Sequence, residues 1–145
     1  MDKEMDFYEK LRLKIVNWLE TETGRKNKWA EYLLLVPDFF YMLIKLATDE
    51  AVPSHEKAKL ILAIAYFISP IDLLPEAFLG PLGYLDDLAL SAYVLNGIIN
   101  KVSPEIVQKY WIGDGDVLLL IKGVLAKADE MIGSGLWEKI KKVVS

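Results

Sequence analysis

Along residues 3–22, charged positions interleave with Phe7, Tyr8, Leu11, Ile15, Trp18 and Leu19. The three-and-four spacing of these apolar residues predicts a helix with one buried stripe. Thr23-Gly24 ends it, because glycine is the favoured residue just past a helix terminus. A second helical stretch starts near Asn27 and runs through WAEYLLLV. Pro37 lacks the donor that a helix interior needs, so it kinks that stretch or opens a new helix as its first residue. DFFYMLIKLATDE then continues helical to about Asp49, apolar almost all round.

Ser54 is the expected N-cap of HEKAKLILAIAYFI, a helix polar in its first turn and buried beyond it. Ser69-Pro70-Ile71-Asp72 places Ser at an N-cap, Pro at the first helical position and Asp at the third. A short helical turn follows, stopped by Pro75 and the Gly- and Pro-rich FLGPLG. Asp86-Asp87 open the helix LALSAYVLNGIINK. Ser103-Pro104-Glu105 repeats the Ser-Pro start, Gly113-Asp114-Gly115-Asp116 breaks and recaps the chain, and LWEKIKKVV closes it.

No segment alternates apolar and polar residues as a half-buried strand does, and hairpin turn pairs are missing. The expected fold is all-α: a compact bundle of about six to eight helices around a central helical hairpin at 58–100. Without a repeat, a low-complexity tract or a linker, residues 1–145 are expected to form one domain.

Composition changes this picture only at the membrane. Hydrophobic residues make up 53%, charged residues 26%, and the mean hydropathy is +0.24. A spanning helix needs about 20 mostly apolar residues. The longest uncharged runs are Leu88–Asn100, 13 residues, and Leu60–Ile71, 12 residues, which are core-helix lengths. A membrane-embedded hairpin over 58–100 would carry Asp72, Glu76, Asp86 and Asp87 with it, at roughly 2.5–3.5 kcal/mol for each carboxylate near the bilayer centre. It is tolerable only if they sit at the far interface, so interior helices are the favoured assignment. The C-terminal piece offers a surface alternative. Leu136, Trp137, Ile140, Val143 and Val144 share one face flanked by Lys139, Lys141 and Lys142, which suits either a lipid interface or docking on the core, with docking favoured. The charged N-terminus lacks the apolar core of a signal peptide, and Cys is absent. A cytoplasmic protein, peripheral to the membrane at most, is expected.

Net charge is −4, from 21 acids and 17 bases, and its placement matters more than its sum. Between Lys59 and Lys101 stand four acids and no base, so this window carries the whole −4. The short basic cluster GRKNK at 24–28 falls where a helix closes, and nucleic acid is not an expected partner.

ISPIDLLPE, followed by LGYLDDL, resembles the signature of the YkvA-like proteins, a bacterial domain of unknown function. The resemblance covers roughly residues 37–99. Family patterns usually have Asp where this chain has Glu76, a change that keeps the carboxylate. The resemblance implies a helical domain, often described as membrane-associated, and brings no established reaction with it.

Two assignments compete for the four acids. Asp72 and Glu76 are four residues apart, and an antiparallel packing of 58–69 on 87–100 would bring Asp86 and Asp87 to the same end. Three or four converging oxygens suit a hard cation such as Mg²⁺ or Ca²⁺. Alternatively Asp72 caps the turn begun by Ser69 and Pro70, and Asp86 or Asp87 caps the next helix, where negative charge meets the positive end of the dipole. Arg25, Lys26 or Lys28 would neutralise the rest. Capping is favoured and no cofactor is expected. His55 is the only histidine, which excludes sites needing two, and no nucleophile elbow, Walker loop or Rossmann fingerprint is present. The expected function is therefore non-enzymatic contact with a partner protein, a second copy of the chain or a membrane surface. A divalent-cation domain, with regulatory or hydrolytic consequences, and a membrane-embedded hairpin are the alternatives.

Overall fold

The architecture follows from one long helix that is buried on nearly every side. The structure, a computed structural model, describes residues 3–26, 28–68 and 84–144. Among these are six helices of ten or more residues: α1 (Lys3–Leu19), α4 (Val36–Ala47), α5 (Ser54–Ile68), α6 (Leu85–Lys101), α8 (Val117–Ile132) and α9 (Ser134–Val143). Three short ones join them: α2 (Glu22–Lys26), α3 (Ala30–Leu33) and α7 (Pro104–Lys109). The protein is an all-α compact bundle.

Helix α6 is the axis. Leu88, Leu90, Leu95 and Ile98 are fully buried in it, and α4, α5, α7, α8 and α9 pack around it. A single hydrophobic cluster runs from Leu11 in α1 to Val144 beyond α9. Burying side chains of this size is worth about 1.5–3 kcal/mol each, which is what holds short helices that would fray alone.

The α5–α6 hairpin is antiparallel and pinned at both ends. Near the start of α5, Glu56 lies 3.7 Å from Lys101 at the end of α6, with Lys59 at 4.0 Å. Near the end of α5, the Tyr66 hydroxyl donates to Asp86 at the start of α6. Within this hairpin α6 is central and α5 peripheral.

Several boundaries follow the side chains that make them. Ser103, in extended backbone with Pro104 next, accepts the Ile106 amide at 3.3 Å and starts α7. Asp116 accepts the Leu118 amide at 3.0 Å and starts α8. Thr21 serves two helices: its hydroxyl donates to the Trp18 carbonyl at 2.6 Å and accepts the Gly24 amide at 3.1 Å. Gly24 therefore lies inside the short α2 and does not terminate α1. A Cβ there would run into the Trp18 carbonyl, so the fold-back needs glycine. Pro37 is the second residue of α4, one place later than expected. The first bond of α5 runs from the Lys57 amide to the Pro53 carbonyl at 2.9 Å, which puts the cap position one residue before Ser54.

No helix among the described residues is long and apolar enough to cross a membrane.

Candidate functional site

Asp86 and Asp87 occupy the first turn of α6 and are fully buried. A carboxylate in such a place needs donors, because its desolvation is otherwise uncompensated. Both oxygens of Asp86 have them. Oδ2 accepts the Tyr66 hydroxyl at 2.8 Å, and Oδ1 accepts the Asp87 amide at 3.0 Å. The amide is one of those a helix start leaves without an intrahelical partner, and the dipole adds to the attraction. The cap position itself belongs to Tyr84, whose side chain makes no cap bond. Asp86 is thus not the N-cap expected from the sequence. It captures an amide from inside the first turn because burial turns its side chain back onto α6 and up to α5. One turn on, the Ser91 hydroxyl donates to the Asp87 carbonyl at 2.8 Å.

The other members of the predicted constellation, Ser69, Pro70, Asp72 and Glu76, lie outside the described residues. Among the described residues, no group of three or more His, Cys, Asp or Glu side chains is placed to hold a metal ion.

Tyrosine–aspartate pairing recurs elsewhere, and of the four residues involved only Tyr8 stands in a stripe that periodicity singles out. The Tyr8 hydroxyl of α1 donates to Asp38 Oδ1 in α4 at 2.8 Å, and the pair is buried. The Tyr110 hydroxyl donates to Asp49 Oδ2 at 2.6 Å, beside Lys109 at 3.5 Å. Both tyrosines are raised above the ordinary phenol range. Burial first, then the acceptor and charge of Asp38, raise Tyr8 above the ordinary phenol range. The Tyr110 hydroxyl, helped by the Ala51 amide, holds Asp49 below the usual carboxylate range, and Asp49 in turn raises Tyr110. The one local hint was Asp38 itself, an acid in a first helical turn right after a proline.

The C-terminal helix α9 docks on the core. Trp137, Ile140 and Val144 are buried, Trp137 meets Tyr93 of α6 edge to face at 5.8 Å, and Lys141 pairs with Glu138 at 2.9 Å. These three residues of the face that would have entered a lipid interface are covered by the bundle.

An uncovered apolar face does exist, on α5. Ala58, Ile61, Leu62 and Ala65 all point outward, spaced as one helical stripe. Ile61 is 57% exposed and Leu62 45%.

Residues 56–93 match the family described as "Protein of unknown function (DUF1232)". This is the family that the ISPIDLLPE and LGYLDDL motifs resemble. The chain is also similar to "Uncharacterized protein ORF9" of Methanothermobacter thermautotrophicus, at 25% identity over 111 residues, covering 77% of this chain and 74% of that protein. No solved structure matches. The matched segment takes in most of α5, with its outward face, and the first half of α6, with Asp86 and Asp87.

Proposed function

We propose that this chain is a non-enzymatic helical domain that works by contact with another protein through the outward face of α5. One observation carries the proposal: Ile61 and Leu62 stand in water on a helix whose other face fills the core. Exposed aliphatic side chains grouped in a stripe, inside the segment shared with the family, are characteristic of an interaction surface. The Tyr66–Asp86 bond fits the same account, since it locks α5 to α6.

Charge favours a protein over a bilayer as the partner. Lys57 and Lys59 flank one end of the stripe, and from Leu60 to Asn100 there is no base at all. An anionic membrane surface attracts roughly 1 kcal/mol per nearby Lys or Arg, and past Lys59 the stripe offers it none. The complementary partner is a protein surface with an apolar centre.

A photo-crosslinking residue placed at position 61, in the full chain in its host cells, tests the proposal. A discrete adduct is expected from position 61, none from the exposed position 122, and none from position 61 when Leu62→Glu is added. An adduct of two copies of this chain would identify the partner as itself. Indifference of the adducts to Leu62→Glu, or sedimentation of the purified chain with anionic vesicles through Ile61 and Leu62, contradicts the proposal.

A further inference from the structure

At the junction of α1, the start of α4 and the loop 111–114 lies a groove of about 440 Å³, within the range of small-ligand sites. Asp38 forms its floor and is only 8% exposed. Tyr8 supplies a donor to Oδ1, and among the described residues no donor meets Oδ2. Tyr8 cannot serve both oxygens. Its single proton is committed to Oδ1, and its raised pKa keeps that proton in place. Arg12 lines the groove beside the Tyr8 hydroxyl, exposed on α1, and makes no ion pair with Asp38. Oδ2 therefore opens onto the groove, where a charged donor on a ligand can replace water on it.

The walls define what else such a ligand must be. Leu34 and Ile112, 50% and 53% exposed, form an apolar rim beside Trp111. The Trp111 indole is held in place by its N–H donating to the Gly115 carbonyl at 3.1 Å and by edge-to-face contact with Phe39 at 5.9 Å. Glu31 and Asp114 add carboxylates, so three acids face one base, Arg12. Gly113 keeps the approach open: a Cβ there would press on the Trp111 ring and stand 3.0 Å from Asp38 Oδ2.

We propose that this groove binds a small organic cation, a primary ammonium that donates to Asp38 Oδ2 and carries an apolar body resting on Trp111, Leu34 and Ile112. The ammonium satisfies the unmet oxygen by a charge-assisted bond and gains from the indole, while the rim shelters the hydrocarbon. Neutral and anionic analogues of the same shape lack that bond.

Titration of the full chain with hexylamine, hexanol and hexanoate, followed by ¹H–¹⁵N NMR, tests this. Hexylamine is expected to shift the Trp111 indole N–H and the Gly113 amide in a saturable way, with the other two weaker by about tenfold or more. Asp38→Asn is expected to weaken hexylamine by a similar factor. Leu34→Lys, at an exposed rim position, brings an ammonium of the chain's own to the groove and is expected to abolish binding with the fold intact. It keeps the test decisive should Asp38→Asn disturb folding. Equal binding of hexanol and hexylamine, no shift at Trp111 or Gly113, or wild-type affinity in Leu34→Lys overturns the proposal.

Discussion

The Tyr66 hydroxyl donates to Oδ2 of Asp86 at 2.8 Å, joining the end of α5 to the first turn of α6 across 20 residues of chain. Asp86 is fully buried, so this bond offsets desolvation as well as setting the hairpin's register. Tyr66→Phe keeps the ring and removes the donor. It is expected to destabilise the fold by about 1–3 kcal/mol, measured by chemical denaturation at neutral pH. An unchanged midpoint would mean that Asp86 does not depend on that hydroxyl.

The caps of α7 and α8 are expected to behave as separate, additive contributions. Ser103→Ala and Asp116→Ala each remove a side-chain acceptor from a helix start, at a cost of about 0.5–2 kcal/mol. Asp86→Ala, which takes a buried carboxylate from two donors, should exceed either. Denaturation of the three single variants ranks them.

The Tyr110–Asp49 pair makes stability depend on pH at both extremes. Asp49 is held below the usual carboxylate range by the Tyr110 hydroxyl, so the folded state binds its proton less tightly than the unfolded chain. Its contribution is present above about pH 4 and lost as pH falls through that region and below. Tyr110 is raised by Asp49, so its contribution is present below about pH 10 and lost as pH climbs beyond. Tyr110→Phe is therefore expected to flatten the melting-temperature profile on both limbs. A profile that keeps the wild-type slopes would remove the pair as their cause.

What the sequence made legible is what neighbours in the chain decide. Ser103-Pro104 and Asp116 could be identified as helix starts because a cap and its amide are two or three residues apart. The helical periodicity of α1 and the docking of α9 are likewise written in local spacing. The buried pairs were hidden for the opposite reason. Tyr8 and Asp38 are 30 residues apart and Tyr110 and Asp49 are 61, and only the packed bundle brings them together. Asp86 was singled out for the correct region and a different bond, because its main partner comes from another helix. The outward face of α5 escaped notice too. A nearly continuous apolar run does not reveal which of its sides the rest of the chain will cover.

Contact through α5 requires that face to be a true surface. Purified chains carrying Ile61→Glu with Leu62→Glu, and Leu60→Ala alone, can be compared by denaturation. Leu60 is adjacent and fully buried, so its truncation is expected to cost about 2–5 kcal/mol. The two outward residues touch little, and their joint replacement is expected to stay within about 1 kcal/mol of the parent. A double variant that unfolds as readily as Leu60→Ala would show that the stripe belongs to the chain's own core, and the contact surface proposed for α5 would be gone.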